Sequence, residues 1–210
     1  MGKKLSYLTA VVCLAAASNV SAASSTDLSV KGTITPAACV PQLSNGGVVD
    51  HGKISIKDLP GSIGAIKPLP NVTLQLSVSC DAATFFAVKS TDNRKNTAAD
   101  NSISSFGLGL GENDQKLGLY TLRMENALAD GAQASLVESV DGTTWFLAAP
   151  GQIWQPDWMR TVNAPGPDYA PIAMQTFTTD VVVATKLYKP KVLTAETPLD
   201  GSATLDIVYL

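Results

Sequence analysis

The chain has few of the side chains that usually carry catalysis or bind metal ions. Its 210 residues include one histidine and three cysteines, and charged residues make up only 16% of the sequence. A G-x-S-x-G nucleophile motif is absent, and no cysteines and histidines have zinc-binding spacing. We therefore predict a protein that is not an enzyme and that has no cofactor, no metal site and no catalytic residue.

The remaining candidates for chemistry have simpler structural explanations. His51 is the one histidine, and we expect it in a turn beside a strand. Glu112 and Asp114 lack the dense acidic loop that calcium requires, which favours solvated turn residues. The glycine-rich run 106–111 lacks G-x-G-x-x-G spacing and a following helix. Its alternation of Gly and Leu is typical of a strand in which glycines relieve crowding.

The N-terminus has the pattern of an export signal. The pair Lys3-Lys4 precedes an apolar stretch over residues 5–17, and a small-x-small site ends at Ala22. The apolar stretch is too short to span a bilayer. We predict a signal peptide over residues 1–22, with cleavage after Ala23 as the alternative.

Positive charge is scarce in the predicted mature chain. The full sequence has a formal charge of −3, and removal of the two lysines of the signal peptide changes it to −5. This acidity gives no support for nucleic-acid binding, which needs basic patches. The remaining residues, 23–210, are enough for one domain with a substantial core.

The two cysteines outside the signal peptide predict one disulfide. Cys39 and Cys80 form an even pair in an exported chain, whereas Cys13 lies in the signal peptide. Closing this loop would stabilise the fold by up to about 4 kcal/mol on the chain-entropy account. The alternative is a two-cysteine metal site, but no histidine lies nearby in the sequence.

Helical periodicity is nearly absent, and period-2 alternation recurs along the chain. The clearest case is residues 72–80, with Val, Leu and Cys on one face and Thr, Gln and Ser on the other. Asp81 predicts a hairpin turn after this strand, and Asp141-Gly142 predicts a second one. Short, regularly spaced strands indicate an all-β antiparallel sandwich. The predicted strands cover residues 27–34, 72–80, 84–90, 118–125, 134–139, 144–148, 181–187 and 203–210.

Two segments lack strand signals. Residues 92–105 predict an exposed loop, and residues 150–171 predict a proline-rich loop. Within the second loop, Trp154 and Trp158 suggest a glycan contact, since exposed indoles can stack on sugar rings. A loop folded over the sandwich with its aromatic residues packed inward is the alternative.

The last residues form a strand pattern that runs to the chain end. Leu205, Ile207 and Tyr209 alternate with Asp206 and Val208. Chain ends normally fray, so this strand must be held either by the protein's own sheet or by a partner that pairs with its edge.

Three parts of the sequence together resemble the pilin subunits of bacterial chaperone–usher fimbriae. They are residues 31–39, which end at the first cysteine, residues 76–80, which end at the second, and residues 201–210, with their penultimate tyrosine. Within that superfamily the chain is similar to the fimbrial-type proteins that carry the domain of unknown function 1120. Residues 106–110 and 114–122 carry that second likeness, together with the ending 201–210.

The resemblance implies an incomplete immunoglobulin-like sandwich that lacks its last strand. A periplasmic chaperone and later a neighbouring subunit would supply the missing strand, with an outer-membrane usher in assembly. It also implies export through the periplasm to the cell surface and a part in adhesion. On this interpretation Leu205, Ile207 and Tyr209 line the acceptor groove.

The chain departs from this pattern at its N-terminus. Only residues 23–26 separate the predicted cleavage site from the first predicted strand, whereas major pilins usually have a longer donor extension. Either a short strand with Leu28 and Val30 is donated, or the subunit is minor, terminal or at the tip and donates none. The rival function from another class is a secreted or tip-displayed carbohydrate-binding module that uses the aromatic segment from Trp154 to Tyr169.

Overall fold

The computed structural model describes Ser29, residues 38–59 and residues 61–210. The predicted signal peptide lies outside the described residues, as does the predicted first strand except for Ser29. All the described strands belong to one compact unit, residues 35–210. In the part of the chain that is described, no helix has the length and apolar character needed to cross a bilayer.

The described part of this unit is built almost entirely from β-strands. Three short 3₁₀ helices cover Ser44–Gly47, Ile56–Asp58 and Glu112–Asp114. The strands are β1 (Cys39–Leu43), β2 (Ile66–Pro68), β3 (Val72–Thr84), β4 (Phe86–Asp92), β5 (Phe106–Gly107), β6 (Gly118–Ala129), β7 (Ala132–Gln133), β8 (Ser135–Ser139), β9 (Phe146–Leu147), β10 (Ile153–Trp154), β11 (Met159–Asn163), β12 (Met174–Tyr188) and β13 (Ala203–Tyr209).

Two antiparallel sheets form a sandwich, which confirms the predicted all-β fold. The first sheet has the order β1-β3-β12-β6-β10, with β2, β5 and β7 paired at its margins. The second has the order β13-β4-β11-β8-β9. The two sheets bury one shared core, in which Phe86 of the second sheet meets Phe177 of the first edge-on at 6.3 Å between ring centres.

The long strand β12 is the centre of the first sheet. It pairs with β3 on one side and with β6 on the other. The predicted alternation of β3 is confirmed, because Leu74, Leu76, Val78 and Cys80 are buried while the intervening residues are wholly or partly exposed. Burial of one face only is what makes a strand visible as a period-2 pattern.

The predicted hairpin at Asp81 is wrong. The strand β3 continues through Asp81 to Thr84, and the Asp81 amide donates a hydrogen bond to the Ala38 carbonyl. The next strand, β4, belongs to the other sheet, so the chain crosses between sheets at Phe85. The second predicted hairpin is confirmed, since β8 pairs with β9 across the turn at Asp141.

The predicted proline-rich loop 150–171 is wrong in its middle part, which contains β10 and β11. All five residues of β11 are buried, so the strand shows no alternation of apolar and polar residues. It includes Arg160 and Asn163, which sequence patterns assign to a surface. The burial of both faces therefore concealed a central strand of the second sheet.

The glycine-rich run begins with a strand, as predicted. Residues Phe106–Gly107 form β5, which pairs with β6. A Cβ on Gly107 would overlap the Thr97 Oγ1 atom and the Arg94 carbonyl oxygen. Glycine is required there because the polypeptide backbones and side chains approach too closely for any larger residue.

Candidate functional site

The predicted disulfide between Cys39 and Cys80 is confirmed. The two cysteines lie directly opposite each other in the β1–β3 ladder. The bond therefore fixes β1, which is the edge strand of the first sheet, to the neighbouring strand β3. No cluster of three His, Cys, Asp or Glu side chains suited to a metal ion occurs in the described ranges.

Strand β13 is an edge strand of the second sheet. It pairs with β4 along its whole length, from Ala203 opposite Asp92 to Tyr209 opposite Phe86. Among residues 38–59 and 61–210, no strand pairs with its other side. That side presents backbone N–H and C=O groups, which can template the addition of another strand.

The side chains of β13 are less buried than those of the strand beside it. Leu205 and Ile207 pack against the core but remain half-buried, and Tyr209 is 42% exposed. In contrast, Phe86 and Val88 of β4 are completely buried. The described residues therefore cover the core incompletely on the β13 side of the sandwich.

An apolar cavity of about 780 Å³, here called the groove, opens beside β13. Its walls include Leu205 of β13, Leu43 of β1, Leu122 of β6 and Val183 of β12. The connecting segments 47–59 and 190–202 contribute further walls. The groove therefore gives access to the space between the two sheets.

The three predicted groove residues lie in three different surroundings. Leu205 lines the groove, and Ile207 packs against the adjoining core. Tyr209 lies beyond them, where its hydroxyl accepts a hydrogen bond of 3.0 Å from the Cys39 backbone N–H. This bond joins the edge strands of the two sheets, so the edges converge at the end of β13.

The polar groups around the groove are mostly paired. The His51 Nε2 atom lies 3.0 Å from the Thr185 hydroxyl. Lys53 and Glu196 form an exposed ion pair at 2.8 Å. Burial raises the pKa of the Tyr120 phenol above its ordinary value, which is already high enough for a neutral side chain at physiological pH. The groove thus suits apolar side chains better than a charged ligand.

Residues 190–200, here called the strap, connect β12 to β13 and form part of the groove wall. The Glu112 carboxylate accepts hydrogen bonds from the backbone N–H groups of Thr194 and Ala195, at 2.8 and 2.9 Å. It also accepts one from the Thr194 hydroxyl. These bonds lower the pKa of Glu112. The expected turn residue Glu112 is therefore an anchor of the strap.

The two tryptophans of the glycan hypothesis have different environments. Trp154 is completely buried, and its indole N–H donates to the Trp158 carbonyl at 2.9 Å. It cannot reach a glycan without leaving the core, which corrects its assignment as a contact residue. Trp158 is half-buried and lines a separate polar pocket.

The sequence missed most of the groove. His51 and the strap come from connecting segments without a regular pattern, and they meet β13 only through long-range contacts. The one signal that sequence offered was the alternation in β13. That alternation shows which side chains face inward but not what covers them.

Comparisons with known proteins give a family likeness over part of the chain. The sequence model of a family described as protein of unknown function (DUF1120) matches residues 28–105. Protein GltF of Escherichia coli (strain K12) is 26% identical over 257 residues, covering 99% of both chains. Uncharacterized protein YhcF of the same strain is 24% identical and covers 92% of this chain and 94% of its own. The likeness to the DUF1120 family that the sequence suggested is therefore found.

Proposed function

We propose that the chain is a structural subunit of a bacterial surface fimbria, assembled by β-strand complementation. A periplasmic chaperone supplies a strand during export, an outer-membrane usher receives the complex, and a neighbouring subunit later replaces the chaperone strand. The subunit is exported through the periplasm to the cell surface, where the fimbria contributes to adhesion.

One observation carries this proposal: the side of β13 that pairs with no strand of residues 38–59 and 61–210 borders an apolar groove that opens between the sheets. An added strand would satisfy the edge N–H and C=O groups of β13, and its alternate side chains would enter the groove. Leu205 and Ile207 are half-buried in the structure and would become fully buried. Fully burying an exposed aliphatic side chain contributes about 1.5–3 kcal/mol, so completing the burial of a half-buried one contributes roughly half of that.

The likeness to the DUF1120 family supports the proposal only in a general way, because that family is described as having unknown function. The disulfide gives more specific support. It holds β1 at the edge of the first sheet, and Leu43 of β1 lines the groove together with Leu205 of β13. A rigid groove loses less conformational entropy when a strand enters than a flexible groove would lose.

The test compares the exported mature chain alone and together with a pilus chaperone of its source organism. We expect low periplasmic yield and concentration-dependent association without the chaperone, and a soluble one-to-one complex with it. A chain that is monomeric, fully stable and equally abundant without any partner would contradict the proposal.

Two neighbouring substitutions locate the contact on β13. Leu205→Ala removes a groove side chain, whereas Asp206→Ala changes an exposed residue of the same strand. We expect Leu205→Ala to reduce the amount of chaperone complex at least severalfold and Asp206→Ala to leave it unchanged. Equal effects of the two variants would exclude the groove as the contact.

A further inference from the structure

A second concavity of about 530 Å³, here called the loop pocket, lies between the loop 92–105 and the segment 155–158. Lys116 also lines it. None of its lining residues belongs to the groove. The predicted exposed loop and one of the two predicted glycan-contact residues, Trp158, therefore meet in one place.

The loop pocket combines an aromatic wall with unpaired amide groups. Trp158 is half-buried and contributes the indole. The side chains of Asn96, Asn101 and Gln155 have no hydrogen-bond partner within the part of the chain that the structure describes. A primary amide offers two N–H donors and a carbonyl acceptor, which suits neighbouring hydroxyl groups of a ligand.

The charged groups of the loop pocket largely offset one another. Lys95 pairs with Asp157 at 2.9 Å, and the Asp100 carboxylate accepts hydrogen bonds from Ser102 and Ser105. With Asp92 and Lys116, the lining has three carboxylates and two ammonium groups, a formal charge of −1. This balance does not favour an anionic ligand.

Hydrogen bonds to neighbouring segments hold the backbone of the loop wall. Arg94 donates to both carboxylate oxygens of Asp200 at 2.8 Å. The Thr97 hydroxyl donates to the Arg94 carbonyl at 2.7 Å, and the Asp92 carboxylate accepts from the Gly107 N–H. These bonds fix the backbone at the start of the loop, residues 92–97, which carries Asn96. The side chains of Asn96 and Asn101 are exposed to solvent.

Hydrogen bonds also hold the backbone of the aromatic wall that carries Trp158. The Trp158 backbone N–H donates to the Gln155 carbonyl, and the Trp158 carbonyl accepts from the Ser90 backbone N–H. The buried Trp154 indole donates to the same carbonyl. Because the backbone of this wall is already ordered, less conformational entropy is lost on binding than in a segment that must first fold.

We propose that the loop pocket binds a neutral hexose. The C–H face of the pyranose packs on the Trp158 indole, and the sugar hydroxyls bond to the amides of Asn96, Asn101 and Gln155. The amphipathic indole matches the apolar face of a sugar, and a few convergent polar groups fix its orientation. This site is independent of the proposed strand complementation, since it shares no residue with the groove.

The test is saturation-transfer NMR on the full mature chain with the methyl glycosides of glucose, galactose and mannose, and with sialic acid as the anionic probe. We expect saturable binding of at least one neutral glycoside with a Kd of about 1 mM, which corresponds to about 4 kcal/mol. Sialic acid should bind at least severalfold more weakly. Absence of binding by all three neutral glycosides, or preference for sialic acid, would overturn the proposal.

Substitutions separate the loop pocket from other surfaces. The double variant Asn101→Ala, Gln155→Ala should weaken glycoside binding about tenfold, because it removes two amide contacts. Trp158→Phe should weaken binding while retaining an aromatic core contact. Gln133→Ala, in the exposed strand β7, and Trp145→Phe, a half-buried aromatic residue outside the pocket, should not change it. Unfolding temperatures confirm that each variant is folded, and glycoside binding that survives the double variant would exclude this pocket.

Discussion

The most buried ion pair of the described chain joins two strands of the second sheet. Arg160 of β11 contacts Glu138 of β8 at 2.8 Å, and the two side chains are 1% and 5% exposed. Arg160 also donates to the backbone carbonyls of Gln152 and Ile153, next to and within β10 of the first sheet. Burial lowers the pKa of Arg160, although the Glu138 carboxylate acts in the opposite direction. One guanidinium therefore connects both sheets.

Removal of this guanidinium should destabilise the protein strongly. Arg160→Met leaves the buried carboxylate of Glu138 without its cation, so we expect the free energy of unfolding to fall by about 3–5 kcal/mol in urea titrations. Lys53→Met provides the matched control, because Lys53 pairs with Glu196 while both side chains are more than 85% exposed. Its effect should stay below about 1 kcal/mol. A similar loss of unfolding free energy in the two variants would show that burial does not determine how much an ion pair contributes to stability.

At the scale of elements, the sequence predicts strands whose two faces differ and misses strands whose faces are alike. Strand β3 is buried on one face, and its period-2 pattern gave its start at Val72 correctly, although the strand runs on to Thr84. Strand β11 is buried throughout, and Arg160 and Asn163 gave it the composition of a loop. A buried polar residue depends on partners distant in sequence, such as Glu138, and no local pattern contains them.

Local sequence patterns also could not predict which strands pair with each other or which segments line the groove. The position of β4 was predicted nearly correctly, but its assignment to a hairpin with β3 was wrong because the chain changes sheet at Phe85. The inward residues of β13 could be identified from their alternation. The strap and the segment 47–59 could not be assigned to the groove, because irregular segments carry no periodic signal.

The strap gives a prediction about pH. Hydrogen bonds from Thr194 and Ala195 lower the pKa of Glu112, so the ionised carboxylate binds the strap better than the neutral acid. The attachment is therefore complete above the ordinary glutamate pKa and is lost as pH falls through the lowered pKa of the folded state. We expect the protection of the Thr194 and Ala195 amides against hydrogen exchange, corrected for intrinsic rates, to decrease as pH falls below about 4.5.

Two variants separate this anchor from its surroundings. Glu112→Ala should reduce protection of the same amides severalfold at pH 7 and should remove most of the acid dependence. Glu196→Ala removes only the exposed ion pair between the strap and Lys53. This variant should leave the amide protection at pH 7 and its decrease at acidic pH almost unchanged. Unchanged protection in Glu112→Ala would mean that another contact holds the strap.

The whole molecule is asymmetric in how its sheets are completed. Strand β12 has hydrogen-bonded neighbours on both sides, whereas β13 pairs only with β4 in the described chain. The opposite edge of the second sheet is β9, a two-residue strand that pairs with β8. Amides of a central strand exchange through global unfolding, and those of an edge strand also exchange through local opening.

Hydrogen exchange measured by mass spectrometry can test whether β13 is the edge that a partner completes. In the chain without a partner, peptides covering residues 203–210 should exchange faster than peptides covering residues 174–188, because local opening of β13 disrupts one ladder rather than two. Chaperone binding should slow exchange in residues 203–210 and leave β9 unchanged, since β9 lies at the other edge of the same sheet. Protection that increases at β9 instead would assign the partner to the opposite edge. Equal protection of β13 and β12 before binding would mean that β13 is already completed.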